Sequence, residues 1–111
     1  DIDVILDTFK IKKVFFTYPL KVIYKFANMS NTDITALKAD FVLCMADKPL
    51  ETVTQTVADK KNPLPVGGYD YNSCAVKFKK TIFTKKELAN YTVKIYVYKD
   101  DKFNLIIMDS V

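Results

Sequence analysis

The stretch Tyr91-Thr-Val-Lys-Ile-Tyr-Val-Tyr98 alternates apolar side chains with polar or amphipathic ones. A β-strand with one buried face has this alternation, because successive side chains of an extended backbone point to opposite faces of the sheet. Lys94 and the last two tyrosines of the stretch should therefore face outward. The residues expected to face a core are Val93, Ile95 and Val97.

The same alternation recurs along the chain, and turn-forming residues separate the alternating segments. Thr84 and Glu87 have the spacing of a capping box, which predicts one short helical turn near 85–89. Together these patterns predict an all-β fold, an immunoglobulin-like β-sandwich of about seven or eight antiparallel strands, in a single domain over residues 1–111. The remaining strands are expected at 2–6, 9–16, 20–26, 41–45, 51–57, 74–78 and 103–110.

The composition argues against an enzyme. The chain has 111 residues, 27% of them charged, but it contains no histidine, no arginine and no tryptophan. Without histidine it lacks the usual general base for a serine or cysteine nucleophile and the commonest transition-metal ligand. Without arginine it lacks the side chain best suited to phosphate and guanine contacts. We therefore expect no catalysis, no cofactor, no metal site and no nucleic-acid partner.

Cys44 and Cys74 are the only cysteines of the sequence. They are either two buried free thiols or one disulfide that closes a loop of roughly 30 residues and stabilises the fold by about 3 kcal/mol. In the predicted strands Cys44 points outward and Cys74 points inward, which disfavours a bond between them. The sequence leaves both arrangements open.

Two segments, Asn28-Met-Ser30 and Asn90-Tyr-Thr92, match the acceptor pattern for N-linked glycans. Both lie at predicted turns or strand starts, where a glycan would be accessible. The chain also opens at Asp1, without a methionine or a basic-then-apolar leader, as does a chain cleaved from a signal peptide or cut from a longer protein. We therefore expect a secreted or extracytoplasmic glycoprotein, with Asn28 and Asn90 as candidate acceptors.

The segment from Val76 to Lys94 contains six lysines and a single acid, Glu87. Its ordinary interpretation is a solvated sheet face followed by a loop. The alternative is a surface that docks on an anionic layer such as lipid headgroups, where lysines act as non-specific point charges. The apolar pair Ile82-Phe83 lies among these lysines and suits the rim of such a surface. The candidate docking residues are Lys77, Lys79, Lys80, Lys85, Lys86 and Lys94.

The second half of the chain also carries a family pattern. Asn62-Pro-Leu-Pro-Val-Gly-Gly-Tyr-Asp-Tyr71 precedes Val76-Lys-Phe78, and Asn90-Tyr-Thr-Val-Lys-Ile-Tyr-Val-Tyr98 precedes the apolar strand Asn104-Leu-Ile-Ile-Met108. This order resembles the ML lipid-recognition domain family, which includes the ganglioside activator and the Niemann–Pick sterol-binding protein. The resemblance implies a sandwich whose splayed sheets hold a lipid. A rival resemblance, through the Asn28-Met-Ser30 turn, is to bacterial lipoprotein-type immunoglobulin-like domains.

Two functions follow from these patterns. The first is a secreted protein that binds, transfers or presents a lipid or another apolar ligand in a cavity between the sheets. The alternative for the residues that would line this cavity is that they pack closely against each other in a solid core. The second is an adhesion or assembly module that binds a protein partner, or a second copy, through a strand edge or a tyrosine-rich face. The cavity candidates are Phe41, Leu43, Val76, Phe78, Val93, Ile95 and Val97, with Ile82 and Phe83 at the rim. The outward tyrosines are Tyr69, Tyr71, Tyr96 and Tyr98.

Overall fold

The computed structural model describes residues 3–5, 8–17, 20–68, 71–82 and 84–110. Within these ranges the chain forms eight β-strands and one helical turn. The elements are β1 (Asp3–Ile5), β2 (Phe9–Thr17), β3 (Lys21–Asn28), β4 (Leu37–Met45), β5 (Lys48–Ala58), β6 (Tyr71–Lys77), α1 (Lys85–Leu88), β7 (Tyr91–Lys99) and β8 (Lys102–Ser110).

The strands form two four-stranded sheets that pack against each other. The first sheet has the order β1-β2-β3-β6, the second has the order β5-β4-β7-β8, and all neighbouring strands are antiparallel. The chain changes sheet after β3, β5 and β6, so that β3 pairs with β6 and β4 pairs with β7. This Greek-key connectivity is typical of immunoglobulin-like sandwiches, and it confirms the predicted fold class.

In β3 and β7 the residues that alternate in the sequence also alternate between the buried and the outer face of the sheet. Val22, Tyr24 and Phe26 of β3 are buried, whereas Lys21 is exposed. In β7 the buried positions are Val93, Ile95 and Val97, as expected. Sequence periodicity is thus enough to define the core-facing side of these strands.

The end of β4 keeps the alternation of faces but loses burial. Met45 pairs with Tyr91 of β7, whose side chain is buried on the inner face, so Met45 lies on the same face as Phe41 and Leu43. Met45 is nevertheless 40% exposed, because it is the last residue of β4 and lies beside the β4–β5 turn. The alternation thus indicates the face of a strand residue but not how deeply the residue is buried.

Aromatic side chains of the two sheets contact each other in the core. Tyr24 of the first sheet stacks on Phe41 of the second, with the ring centroids 5.0 Å apart. Phe26 meets the ring of Phe41 edge-on, at a centroid distance of 6.4 Å. Aromatic rings at these distances are in direct contact. The two inner faces therefore meet in the middle of the sandwich.

Two tight hairpins have backbones in the left-handed region. Ala46 and Asp47, with φ of 49° and 66°, join β4 to β5, and Asp100 and Asp101, with φ of 53° and 62°, join β7 to β8. Consecutive positive φ values are characteristic of type I′ turns, whose twist matches that of the flanking strands. The aspartate pair between Lys99 and Lys102 suits such a turn, because aspartate tolerates positive φ.

The predicted helical turn is also confirmed. The hydroxyl oxygen of Thr84 accepts a hydrogen bond from the backbone N–H of Glu87 at 3.1 Å, and α1 extends over Lys85–Leu88. In the part of the chain that the structure describes, no helix is long and apolar enough to cross a membrane.

Both cysteines are free and buried. Cys74 lies on the inner face of β6, whereas Cys44 lies opposite Thr92 on the outer face of the other sheet, as their positions in the strands predict. Burial raises the pKa of the Cys74 thiol to about 11 from 9.0. A neutral, buried thiol is a small packing group rather than a nucleophile.

Asn28 has a structural role that the sequence pattern does not indicate. Its side chain is fully buried, and its amide nitrogen donates to the backbone carbonyl oxygens of Thr32 at 2.7 Å and Leu64 at 3.0 Å. Its side-chain oxygen accepts from the backbone N–H and the hydroxyl of Ser30 at 2.9 and 2.6 Å. The expected accessibility of Asn28 is wrong, because a glycan would need this enclosed nitrogen. Asn90 is exposed and stays a predicted acceptor.

Candidate functional site

The predicted cavity residues lie together in the core. Those that the structure describes are buried members of one cluster. They are Phe41, Leu43, Val76, Phe78, Ile82, Val93, Ile95 and Val97, whereas Phe83 lies outside the described residues. The contact between Tyr24 and Phe41 occupies the middle of this cluster. A lipid cavity stays a prediction, and close packing of the two inner faces does not favour it.

A pocket of about 300 Å³ lies at one end of the second sheet and opens to solvent. It lies where the β7–β8 turn approaches the segment before β4, and the backbone N–H of Asp100 donates there to the carbonyl oxygen of Ala36 at 3.1 Å. Leu37, Tyr98 and Asp101 are among its lining residues, and the predicted cavity residues are not. This pocket therefore differs in place and in chemistry from the expected apolar cavity.

The structure separates two of the lysines that the sequence predicts in one docking surface. Lys77 lies on the outer face of the first sheet, whereas Lys94 lies on the outer face of the second, with its Nζ 3.9 Å from the carboxylate of Asp47. These two lysines therefore belong to different surfaces, because β6 and β7 belong to different sheets. Lys79 and Lys80 follow β6 in a loop, Lys85 and Lys86 belong to α1, and docking through these four residues stays a prediction.

An exposed group of apolar and aromatic side chains lies on the outer face of β7 and β8, and we call it the apolar patch. Tyr96 is directly opposite Ile106, Lys94 is opposite Met108, and Tyr98 is opposite Phe103. The ring of Phe103 lies 6.4 Å from that of Tyr96 and 5.8 Å from that of Tyr98. The patch consists of Tyr96, Tyr98, Phe103, Ile106 and Met108.

The members of the apolar patch on β8 are unusually accessible for their size. Phe103 is 55% exposed, Ile106 is 52% exposed and Met108 is 53% exposed. The inward side chain between the last two, Ile107, is buried in the core. Strand β8 is therefore apolar on both faces, although only its inner face packs against the other sheet.

Strand β8 is also the last strand of its sheet, so one of its backbone edges pairs with β7 and the other has no neighbouring strand among the described residues. Natural proteins protect such edges with lysine, proline or irregular pairing, because an unpaired edge is a template for another strand. The segment from Phe103 to Met108 has no charged residue and no proline. The pairing of β8 with β7 shifts register once, between Val97 and Tyr98, but it is regular from Leu105 to Met108, where the edge of β8 lacks these protective features.

The opposite edge of the same sheet is protected. Strand β5 begins with Lys48-Pro49 and shifts register twice against β4. It is also tied to the first sheet, because Gln55 Nε2 donates to the carbonyl oxygen of Ala75 at 3.2 Å and Asn72 Nδ2 donates to that of Val57 at 2.9 Å. The contrast between β5 and β8 makes the β8 edge the candidate interaction site.

The sequence contains a signal for this site. A strand with one buried face alternates apolar and polar side chains, but Phe103-Asn-Leu-Ile-Ile-Met108 is apolar at five of its six positions. Such a run suits a strand that is covered on both faces. Tyr96 and Tyr98 face outward, as the alternation in β7 predicts. Phe103, Ile106 and Met108 are not among the candidate site residues predicted from the sequence.

A scan against models of protein families finds no match, and a search of curated proteins finds none either. Function is therefore argued from the geometry of the site.

Proposed function

We propose that this chain is an immunoglobulin-like assembly module that joins a second copy of itself by pairing β8 with β8. The observation that carries the proposal is the apolar patch on an unprotected edge strand, where Phe103, Ile106 and Met108 are each more than half exposed. Single exposed apolar side chains are ordinary on protein surfaces. A contiguous group beside an unpaired strand edge is typical of a protein–protein contact.

Addition of a strand at β8 is favourable for two reasons. It gives partners to the N–H and C=O groups along the outer edge of β8, which otherwise bond only to water. It also brings Ile106 and Met108 against side chains of the added strand, which removes part of their apolar surface from water, a gain of about 25 cal/mol for each Å² that is buried. The tyrosines next to them add large apolar areas with polar tips, which are common in interfaces.

A second copy of the chain fits the edge because β8 complements itself. Two β8 strands can pair antiparallel so that Ile107 of one copy is opposite Ile107 of the other. In this register Ile106 of each copy is opposite Met108 of the other copy, and both side chains lie on the outer face of the sheet. The central segment from Phe103 to Met108 contains no charge, so no like charges meet at the centre of the pairing. Self-association therefore needs no change in the fold of either copy.

The proposal is tested by measuring the mass of the protein in solution. Size-exclusion chromatography with light scattering should give twice the chain mass of 12.7 kDa, in a concentration-dependent equilibrium with the monomer. The double variant Ile106→Lys/Met108→Lys should weaken this dimer at least about tenfold, because it places charges on the outer face of the pairing edge.

The matched control is Thr52→Lys/Thr56→Lys, which adds the same two charges to exposed positions of β5 at the other edge of the sheet. This control should dimerise like the wild type. A wild-type protein that stays at 12.7 kDa up to millimolar concentration would contradict the proposal. Equal weakening by the β8 and β5 variants would also contradict it, because charge alone would then explain the effect.

A further inference from the structure

The outer face of the first sheet, far from β8 in the sheet order, is rich in lysine. In β3 the inward side chains are Val22, Tyr24 and Phe26, so Lys21 and Lys25 lie on the outer face. Pairing places Lys12 of β2 directly opposite Lys25, and Lys77 of β6 directly opposite Lys21. We call the face that carries these four lysines the lysine face.

The lysine face has an unbalanced charge. Strands β2, β3 and β6 contain six lysines and no aspartate or glutamate, although the whole chain has 17 lysines and 13 acids. The nearest acid in the pairing register is Asp3 of β1, opposite Lys12. At the other end of the face, Lys21 and Lys77 are exposed and lie opposite each other. The paired strands of this sheet therefore carry an excess of positive charge.

Some of these lysines lie directly opposite each other, where their charges repel and lower the stability of the sheet. Side chains directly opposite each other on antiparallel strands are close neighbours, and like charges at such positions are destabilising. The sheet contains two such pairs, Lys12 with Lys25 and Lys21 with Lys77, on the same face. Asp3 lies on the other side of Lys12 and offsets part of the repulsion there, whereas Lys21 lies between Thr17 and Lys77. An anionic partner would remove the repulsion that remains.

The shape of the lysine face favours a flat partner over a single polymer chain. Neighbouring strands are about 4.8 Å apart, and Lys21 and Lys25 are separated by roughly 13 Å along β3. The lysines therefore spread over a plane in two directions and do not follow one line. Lysine is also a compact point charge, which suits contact with many headgroups better than bidentate recognition of one phosphate.

We propose that the lysine face docks on the surface of an anionic lipid bilayer. The contact is peripheral and electrostatic, and it uses the outside of the sandwich instead of a cavity between the sheets. It rests on different residues from the β8 edge and therefore stands or falls separately from the proposed assembly function.

Co-sedimentation with lipid vesicles tests the proposal. The wild type should bind phosphatidylcholine vesicles that contain phosphatidylserine at low salt, should not bind pure phosphatidylcholine, and should dissociate as salt is raised. The variant Lys21→Gln/Lys77→Gln should bind about thirtyfold more weakly, which corresponds to roughly 1 kcal/mol per lysine. Circular dichroism should show an unchanged fold, because both side chains are exposed.

The matched control is Lys60→Gln/Lys61→Gln, which removes the same charge from exposed positions in the loop after β5. It should change vesicle binding less than twofold. The proposal would be overturned if the wild type does not bind phosphatidylserine vesicles at low salt. It would also be overturned if the two double variants lose vesicle binding to the same extent. Retention on heparin without any vesicle binding would overturn it too, in favour of a linear polyanion. If Lys21→Gln/Lys77→Gln alters the fold, Lys12→Gln/Lys25→Gln replaces it with the same expectations.

Discussion

Asn28 shows how one polar side chain organises a connection between the sheets. It lies at the end of β3, is fully buried, and holds the 28–33 turn against Leu64 through its hydrogen bonds. Leu64 also forms an isolated bridge with Ile34, in which each backbone N–H donates to the carbonyl oxygen of the other residue. A buried asparagine is tolerated here because both ends of its amide are satisfied.

Replacing Asn28 by alanine should therefore lower the free energy of unfolding by about 3 kcal/mol, because it removes the hydrogen bonds of a buried amide that hold the 28–33 turn to Leu64. Urea denaturation followed by circular dichroism measures this loss. Asn90→Ala is the control, since Asn90 stands in the same type of sequence pattern but is exposed, and it should change stability by less than about 0.5 kcal/mol. Equal effects of the two substitutions would show that Asn28 has no special role.

At the scale of single elements, the β4–β5 turn contains a residue that is poorly suited to its backbone. Ala46 has a φ of 49°, and a side chain with a Cβ atom pays about 1–2 kcal/mol in this region unless it is asparagine or aspartate. Its neighbour Asp47 and the aspartates of the β7–β8 turn are better suited to positive φ.

Ala46→Gly should therefore raise the free energy of unfolding by about 0.5–1 kcal/mol, because the relief of strain exceeds the entropic cost of glycine. Ala75→Gly is the matched control. Ala75 is an exposed residue within β6, where glycine should instead lower stability by about 1 kcal/mol. Thermal or urea unfolding of both variants gives the comparison, and a loss of stability in Ala46→Gly would contradict the strain at this turn.

The strands themselves could be predicted because their alternation is local. Val93, Ile95 and Val97 define an inner face without knowledge of any neighbouring strand. The two proposed interaction surfaces could not be predicted in this way. Lys21 and Lys77 become neighbours only through the pairing of β3 with β6, and Lys77 and Lys94 separate because β6 and β7 belong to different sheets. Long-range pairing, which a single sequence does not display, therefore determines which charges act together.

At the scale of the whole molecule, the contact between Tyr24 and Phe41 distinguishes a packed sandwich from a hollow one. Phe41 is fully buried and contacts rings of the first sheet across the middle of the core. In a close-packed interior, removal of such a ring leaves a cavity that the neighbours fill only in part.

Phe41→Ala should therefore lower the free energy of unfolding by about 4 kcal/mol, as measured by chemical denaturation. Met45→Ala in the same strand is the control, because Met45 is 40% exposed, and it should cost less than about 1 kcal/mol. A loss of less than about 1 kcal/mol for Phe41→Ala would indicate an unfilled interior and would restore the lipid cavity as the better hypothesis.

The antiparallel pairing proposed for β8 also fixes the symmetry of the dimer. Two antiparallel copies of one strand within a continuous sheet are related by a twofold axis that runs through the sheet along its normal. Rotation about that axis keeps each sandwich on the same side of the joined sheet, so the first sheets of both copies face the same way. In such a dimer the two lysine faces point toward one plane, so we expect it to bind anionic vesicles through two contacts where the monomer has one.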